Sequence, residues 1–517
     1  MSDDLLLAID AGTGTCRAVL FALDGSQVAI GQREYSHPGL PGAPGSQVFE
    51  TAHNWRLICD CVREALASSG AAADAVKAVS ATSMREGMVL YDARGREIWA
   101  CPNVDSRARE EAAELVHSGA AQEIYDHAGD WVSITAPARF LWLARHEPDV
   151  FAAVAHIGML GDWIVTRLSG EFVTDPSLGS SSGMFELAER DWSARVLEIC
   201  GLDRSVFPPV LDPGTVVGNV STQAAAETGL RSGTPVVVGG ADTQLALAGI
   251  GDSEPGRFTV VGGSFWQHTV VLDKPLIDPQ GRLRTLCHTV PGEWMMEGIG
   301  FYCGLVMRWF RDAFCDTETK QAADQGRDVY SLLEERASSV PPGAGGLFGI
   351  FSNLMTARSW VHAAPAFIGF DINAPERSGK KECVRAIEEA AAYVSRGHLE
   401  IAAEICRRKP EEVIFTGGAA KGTLWPQILA DVIGVPVRIP TVKESSALGA
   451  AIYAGIGVGR YASTGDIAAR FERTVEPQAD AHVAYRRLYD QWLELYGRAL
   501  ELSDAGVVRP LWRAAGT

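Results

Sequence analysis

The sequence predicts an α/β protein made of two similar halves with a ligand-binding cleft between them. Two observations support this fold class. A strand–glycine turn–strand pattern occurs in both halves, and glycine turns follow three apolar strands. The 517 residues exceed what one hydrophobic core usually organises, so at least two domains are expected.

The first half opens on the stretch LLLAIDAGTGTCRAVLFALDG, in which two apolar runs flank a glycine-threonine turn. The dipeptide Asp24-Gly25 is a strong hairpin signal and leads to a third strand. An amphipathic segment ending in glycine then predicts a helix. The predicted elements are strands at 5–10, 15–23 and about 27–34, a helix at 54–70 and a strand at 76–83.

The second half repeats this order loosely. TPVVVGGADTQLALAGIG is followed by GRFTVVGGSFWQHTVVLD, again two apolar runs around a glycine turn. A helix-rich block over 381–406 leads to a strand that ends in Thr416-Gly417-Gly418, and a small-residue helix is predicted over 444–459. These similar halves suggest a duplicated fold.

Composition and charge exclude several classes of function. The net charge of −18 argues against nucleic acid as a main partner, because phosphate backbones require a basic surface. No apolar run is long enough to span a bilayer, and the acidic N-terminus is unlike a signal peptide. The ten cysteines are scattered without metal-type spacing. A cytoplasmic protein without membrane or nucleic-acid partners is therefore expected.

The first glycine turn carries the chemistry of a phosphate site. Asp10 ends a buried strand and places a carboxylate at the sheet edge, where it can orient a hydrated metal ion. Glycine lets a ligand approach the backbone N–H groups, and nearby hydroxyls and a guanidinium add donors. The residues concerned are Gly12, Thr13, Gly14, Thr15 and Arg17. An ordinary hairpin turn is the alternative interpretation.

Two further glycine turns, at 262–264 and 417–419, favour a nucleotide site over three unrelated turns. The P-loop pattern GxxxxGK[ST] is absent, and no GxGxxG follows a strand. A P-loop or dinucleotide-binding fold is therefore not expected.

Asp242 follows a buried strand and two glycines in VVVGGADTQLA. One interpretation is an N-cap for a helix that starts near Gln244. The other is a general base facing a cleft, since a carboxylate can accept the proton of an attacking hydroxyl in phosphoryl transfer.

The stretch TSMREGMVLYD carries Arg85 and Glu86 just after a predicted strand. Such a dipeptide is most often a solvated surface pair. Here it lies between apolar runs, which favours a pocket. CPNVDSRAR adds Asn103, Asp105 and Arg107, polar groups suited to a polyol.

The stretch GSSSG matches the GxSxG pattern of serine hydrolases, with Ser181 at its centre. That pattern requires a strong strand immediately before it, whereas this segment is rich in turn residues. A serine hydrolase is the least favoured alternative, and an ester-cleavage assay tests it.

Taken together, DAGTGTCR, GGADTQ, GGSF and TGGAAKGTLWPQILAD resemble the FGGY carbohydrate kinases over nearly the whole chain. The resemblance implies an α/β fold of two actin-like, ribonuclease H-like ATPase domains with an interdomain cleft. It implies an N-terminal domain at 1–247 on the substrate and phosphate side. A C-terminal domain at 248–517 would form the nucleotide side.

The resemblance also implies roles for individual residues. Asp10 would orient Mg²⁺ through water, and Asp242 would be the catalytic base. ATP would be the phosphoryl donor. The nucleotide-binding residues implied are Gly12, Thr13, Gly14, Thr15, Arg17, Gly263, Ser264, Gly417, Gly418, Ala419 and Lys421.

Within the family, SMREGMVLYD, IWACPNVDSRA and LWRAAG are most similar to a branch that acts on a quorum-sensing signal. Its members phosphorylate the terminal hydroxyl of linear autoinducer-2, 4,5-dihydroxy-2,3-pentanedione. The implied substrate-binding residues are Arg85, Glu86, Asp105, Asp242 and Gln244, with Trp266 beside Phe265 shaping a pocket for the dicarbonyl. A kinase of the same family acting on a pentulose such as xylulose, or on a polyol, is the alternative.

An actin-like ATPase that serves as a chaperone or filament subunit is an alternative from another class. It would share the glycine turns but leave SMREG and NVDSR without a role. ATP hydrolysis without any small molecule would distinguish it, since a kinase should be nearly inactive alone. The expected partners are ATP and a small-molecule substrate, and a homodimer is left open.

Overall fold

Two mixed β-sheets organise the chain, one in each half. The computed structural model describes residues 4–251, 253–355, 360–442, 444–467 and 470–516. The strands of the first half are β1 Leu5–Ala11, β2 Thr15–Ala22, β3 Gln27–Glu34, β4 Val76–Ser83, β5 Met88–Tyr91, β6 Glu97–Cys101, β7 His156–Met159, β8 Phe185–Glu186, β9 Asp191–Trp192, β10 Val216–Asn219 and β11 Pro235–Ala241. Its helices are α1 Thr51–Ser69, α2 Arg109–Ser118, α3 Ala120–Ala128, α4 Ala136–His146, α5 Pro148–Ala153, α6 Leu160–Ser169, α7 Pro176–Ser181, α8 Ala194–Ile199, α9 Thr222–Thr228 and α10 Asp242–Gly249.

The second half continues from residue 258. Its strands are β12 Phe258–Gly262, β13 Trp266–Leu272, β14 Arg284–Cys287, β15 Trp294–Gly300, β16 Phe348–Ile350, β17 Val361–His362, β18 Ala366–Ile368, β19 Val413–Thr416, β20 Val437–Pro440, β21 Phe471–Val475 and β22 Trp512–Arg513. Its helices are α11 Cys303–Phe314, α12 Asp316–Asp324, α13 Val329–Ala337, α14 Lys380–Cys406, α15 Leu424–Ile433, α16 Ser445–Gly457 and α17 Ala479–Asp504.

The two large sheets share one topology. The first has the strand order β10-β11-β4-β1-β2-β3, and the second has the order β14-β15-β13-β12-β19-β20-β21. In each, three antiparallel strands (β1-β2-β3 and β12-β13-β15) lead into two strands parallel to the first, β4 and β11 or β19 and β20. This correspondence confirms the predicted duplicated fold.

The first sheet is covered on both faces. All seven residues of β1 are buried, as expected for a strand paired in parallel and covered on both sides. On one face, α1 buries Trp55, Ile58 and Val62 against the sheet. On the other face lies α16, whose alanines pack on Leu6 and Ala8.

Helix α16 comes from late in the chain but completes the N-terminal core. It contacts β1, β4 and β11, and it crosses α10 at close range. A division at residue 247 therefore does not describe all the packing, because part of the second half supports the first sheet. No helix in the described ranges is both long enough and apolar enough to cross a membrane.

Candidate active site

The carboxyl ends of β1, β4 and β11 bring three predicted site residues to one edge of the first sheet. The three strands are parallel neighbours, so their ends meet at the same edge. Asp10 is the penultimate residue of β1, Arg85 lies two residues beyond β4, and Asp242 immediately follows β11.

Asp10 is a buried carboxylate, and the positive charge of Arg17 does not offset the effect of burial on its pKa. Burial raises its pKa to about 6, with Asp242 and Glu444 adding to the rise, although Arg17 lowers it. The Arg17 Nε atom lies 3.5 Å from Oδ2. The other oxygen, Oδ1, has no hydrogen-bond partner among the described residues. An unpartnered buried carboxylate oxygen fits a cation or its bound water.

The glycine-threonine turn between β1 and β2 is a braced hairpin with an open outer side. The Gly12 N–H donates to the Thr15 carbonyl oxygen at 2.9 Å, and the Asn103 amide donates to the Thr13 hydroxyl at 3.0 Å. A Cβ added at Gly14 would have no neighbour within 4 Å. This side of the turn therefore leaves room for a ligand to approach the backbone.

Arg17 does not point freely toward this turn. Its guanidinium pairs with Glu444, just before α16, and also contacts Asp10 and the Thr15 hydroxyl. Arg17 thus bridges Asp10 and Glu444, a position that the sequence did not predict. Glu444 was missed because its motif, ESSALG, carries no recognisable ligand pattern.

A cavity of about 460 Å³ lies beside the second and third glycine turns. Five predicted residues line it, namely Gly263, Ser264, Gly418, Ala419 and Lys421. Gly417, the residue before Gly418, has a φ of 92°, and a Cβ added to it would clash with the Gly262 backbone. Sequence reasoning missed other lining residues, which come from α11, α13, α14 and α15: Gly304, Arg308, Tyr330, Glu334, Glu388 and Trp425.

The turn at Gly263 is in direct contact with Gly304. A Cβ at Gly304 would lie 2.0 Å from the Gly263 carbonyl oxygen. On the predicted assignment of this turn to ATP, we expect Gly304→Ala to displace the turn and raise the KM for ATP about tenfold or more, with the KM for the expected acceptor unchanged. Steady-state kinetics with each substrate varied in turn measures both constants. Gly465→Ala, at an exposed site with ordinary contact distances, is the control, and equal constants in both variants would contradict the prediction.

Asp242 is the first residue of α10, and the cap residue before it is Ala241. Its carboxylate accepts a hydrogen bond from the Thr243 N–H at 2.6 Å, and Oδ1 lies 3.8 Å from the Arg85 Nε atom. A third of the side chain is exposed. Burial raises the pKa of Asp242, while Arg85 opposes the rise. The position combines an accessible oxygen with a carboxylate whose affinity for a proton is increased.

Arg85 and Glu86 belong to a buried group of charged side chains that we call the cross-cleft cluster. Its members are Arg85, Glu86 and Asp130 from the first half and Arg284 and Glu297 from the second. The predicted pair is therefore a buried network and not a solvated surface pair.

Burial and the two arginines shift the pKa values of two acids in the cross-cleft cluster, Glu297 and Asp130. Burial acts to raise the pKa of Glu297, but Arg85 and Arg284 together lower it to about 2. For Asp130 burial dominates and raises the pKa to about 6, although Arg284 opposes it. Glu86 also has a φ of 60°, a left-handed conformation that costs energy for a residue with a side chain.

Three predicted substrate residues, Asp105, Gln244 and Trp266, lie outside the cross-cleft cluster. The Asp105 carboxylate is buried and accepts hydrogen bonds from Arg107 Nε at 2.8 Å and from the Gln47 N–H at 2.7 Å. Gln244 is fully buried and donates to the Cys287 carbonyl oxygen. One oxygen of each side chain, Asp105 Oδ2 and Gln244 Oε1, has no hydrogen-bond partner among the described residues, and the two substrate roles stay predictions.

The predicted pocket role of Trp266 is corrected. Its side chain is fully buried in the core of the second half, with ring centroids 5.2 Å from Phe415 and 5.1 Å from Trp425. Trp425 lines the cavity beside the glycine turns, so Trp266 supports that side and not an acceptor pocket. Neighbouring Phe265 packs instead against Phe301 and Tyr302.

Ser181 has none of the exposure that a nucleophile needs. It is fully buried at the end of α7 and donates to the Leu178 carbonyl oxygen at 2.7 Å. The GxSxG match therefore does not mark a catalytic serine.

A duplicated sheet topology with a cavity beside its glycine turns is typical of two-domain proteins of the actin-like ATPase fold. Sequence models of the FGGY family of carbohydrate kinases match residues 5–249 with the N-terminal domain and 260–458 with the C-terminal domain. The chain belongs to this family, and it is an ATP-dependent kinase.

Relatives of known name span the whole chain. An autoinducer-2 kinase from Yersinia enterocolitica is 46% identical over 521 residues, covering 100% of this chain and 98% of the relative. One from Escherichia coli K12 is 46% identical over 517 residues, covering 99% and 97%. Among solved structures, xylulose kinase from Rhodospirillum rubrum superposes with a TM-score of 0.84 at 26% identity, covering 96% of this chain and 99% of that one. Glycerol kinase from Plasmodium falciparum with ADP superposes with a TM-score of 0.83 at 18% identity, covering 96% and 98%.

Proposed function

We propose that this enzyme transfers the γ-phosphoryl group of ATP to the terminal hydroxyl of linear autoinducer-2, 4,5-dihydroxy-2,3-pentanedione. The supporting observation is 46% identity to autoinducer-2 kinases along essentially the full length of both chains. Structural neighbours that act on xylulose or glycerol share the fold at lower identity. Because ATP is the donor, we place the reaction in the cytoplasm.

In the proposed mechanism the two sides of the cleft hold the two substrates. The cavity at Gly263, Ser264 and Gly418 receives ATP, with Lys421 and Arg308 as cationic groups on its wall. The backbone of the hairpin at 12–15 faces the terminal phosphates. Catalysis of phosphoryl transfer is mostly alignment and charge stabilisation, so fixed donors on rigid turns suit it.

Asp242 is proposed to accept the proton of the attacking hydroxyl. A third of its side chain is exposed, and the raised pKa makes the carboxylate a better base. Arg85 and Glu86 are proposed to hold the polar groups of the acceptor next to it. Closing of the cleft around both ligands would exclude water, the competing nucleophile.

Mg²⁺ is part of this proposal, since the free oxygen of Asp10 fits a cation through water. When bound, the ion would neutralise charge on the transferring phosphoryl group. Arg17, which pairs with Glu444, contacts the other oxygen of Asp10, Oδ2.

We expect Asp10→Asn to lower kcat/KM for ATP at least about 100-fold and to shift the Mg²⁺ dependence of the rate to higher concentration. The amide removes the negative charge that attracts the cation. A Mg²⁺ titration of the rate measures the shift, and binding of a fluorescent ATP analogue without Mg²⁺ should be retained. Asp212→Asn, at an exposed loop position, is the control. An unchanged Mg²⁺ dependence would count against this metal assignment.

The deciding experiment for the substrate is ADP release from Mg-ATP, coupled to NADH oxidation. The acceptors 4,5-dihydroxy-2,3-pentanedione, D-xylulose, L-ribulose and glycerol are compared at matched concentrations. Strong turnover with the pentanedione alone supports the proposal. Turnover with a pentulose alone would replace the substrate while leaving the kinase assignment in place.

A further inference from the structure

We propose that Arg284 and Glu297 are positioning residues of the acceptor site, contributed by the opposite half of the protein. They would fix the side chains of Arg85 and Glu86 in the direction from which these meet the acceptor. This inference rests on the proposed acceptor-binding role of Arg85 and Glu86.

The contacts within the cross-cleft cluster fix the orientation of the Arg85 side chain. Both terminal nitrogens of Arg85 are taken by the Glu297 carboxylate, one of them Nη2 at 2.8 Å from Oε1. This bidentate geometry fixes the plane of the guanidinium as well as its place. Besides one further N–H on each terminal nitrogen, Arg85 keeps its Nε–H, and the Nε atom lies 3.8 Å from Asp242 Oδ1. Glu297 thus determines how Arg85 meets the proposed base.

Arg284 acts on the second acceptor residue. It donates to Glu86 Oε1 at 2.7 Å, to Asp130 at 3.1 Å and to Glu297 at 3.2 Å. Because the same guanidinium serves three carboxylates, it joins the two halves of the cluster. The planar fork of arginine holds these acceptors in one fixed geometry, whereas a lysine ammonium has three rotatable donors on a flexible side chain.

The backbone fixes the positions of Arg284 and Glu297 relative to the first half of the protein. Arg284 on β14 and Glu297 on β15 are directly opposite each other in antiparallel register. The β14 edge is tied to the first half, since the Thr285 N–H donates to the Gly129 carbonyl oxygen at 2.9 Å and Tyr125 bonds the Leu283 carbonyl. The two charged side chains therefore project from a strand pair docked on the opposite half.

Stability alone does not account for such a cluster. Burying five charged groups carries a large desolvation cost, and apolar residues of similar volume often stabilise a core as well or better. All five side chains are nearly inaccessible, with Glu297 fully buried. A role in orienting the two acceptor residues explains why the charges stand at this place.

The test measures KM for acceptor and for ATP separately in Arg284→Lys and Glu297→Gln, using whichever acceptor the wild-type enzyme phosphorylates. We expect kcat/KM for the acceptor to fall about 100-fold, with the KM for ATP within about twofold of wild type. Arg284→Lys keeps the charge of the cluster and so remains informative if Glu297→Gln does not fold.

The matched control is Asp278→Asn, which alters a buried carboxylate paired with Arg282 on the segment before β14 but outside the cluster. Acceptor and ATP constants that change together, or no more than in this control, would overturn the positioning role. If the acceptor is a pentulose and its KM still rises selectively, the positioning role stands and the proposed substrate fails. A wild-type enzyme inactive with all four acceptors would overturn both.

Discussion

Asp242→Asn is expected to reduce kcat by a factor of about 10²–10⁴ while ATP still binds. The amide cannot accept the hydroxyl proton, yet it retains the shape of the side chain and can still accept the Thr243 N–H. The cavity proposed for ATP lies on the other half and does not include this residue. Single-turnover kinetics measures the chemical step, and isothermal titration with ATP measures binding.

The control for this experiment is Asp175→Asn, which alters a carboxylate buried in the same half and bonded to Ser177. That variant separates loss of a base from loss of a buried charge. Wild-type turnover in Asp242→Asn would eliminate this residue as the base. Loss of both turnover and ATP binding would mean that the substitution acts through the fold.

Gly449→Ala is expected to lower both thermal stability and activity. Helices α10 and α16 cross so closely that a Cβ at Gly449 would lie 2.0 Å from the Leu245 carbonyl oxygen. The helices would have to separate, and overpacking of this kind typically costs about 1–3 kcal/mol. Since α10 begins at Asp242, the same shift displaces the proposed base, and misplacement by about 1 Å can cost about 100-fold in rate.

Thermal unfolding and kcat are measured together for this variant. Gly497→Ala is the matched control, because that glycine lies in α17 and an added Cβ would have no neighbour within 4 Å. Alanine should stabilise that helix by up to about 1 kcal/mol. A Gly449→Ala enzyme with the wild-type unfolding midpoint and kcat would show that the helices can adjust without cost.

Much of the fold could be predicted because its strands are local patterns. The first three strands are apolar runs separated by a glycine turn and an Asp-Gly hairpin, and the structure has them within a residue or two of the predicted bounds. The predicted small-residue helix is also present as α16. Its partner could not be predicted, because a stripe of alanine and glycine shows that close packing occurs but not against which sheet.

The proposed site divides in the same way. Asp10 and Asp242 could each be proposed as site residues because each lies at the end of an apolar strand, and the structure brings these parallel strand ends to one sheet edge. Arg284 and Glu297 could not, since Glu297 is 212 residues from Arg85 and meets it only through the docking of two halves. Trp266 was misassigned because alternate residues of a strand face opposite sides, and this one faces the core.

The return of α16 to the first sheet has a consequence for biosynthesis. During translation, the strands that end at residue 241 leave the ribosome about 200 residues before the helix that covers one of their faces. Until then Leu6, Ala8 and Val237 lack the apolar partners that cover them in the finished protein. The nascent N-terminal half should accordingly depend on chaperones, and a gene cut near codon 250 should give insoluble product unless both fragments are made together.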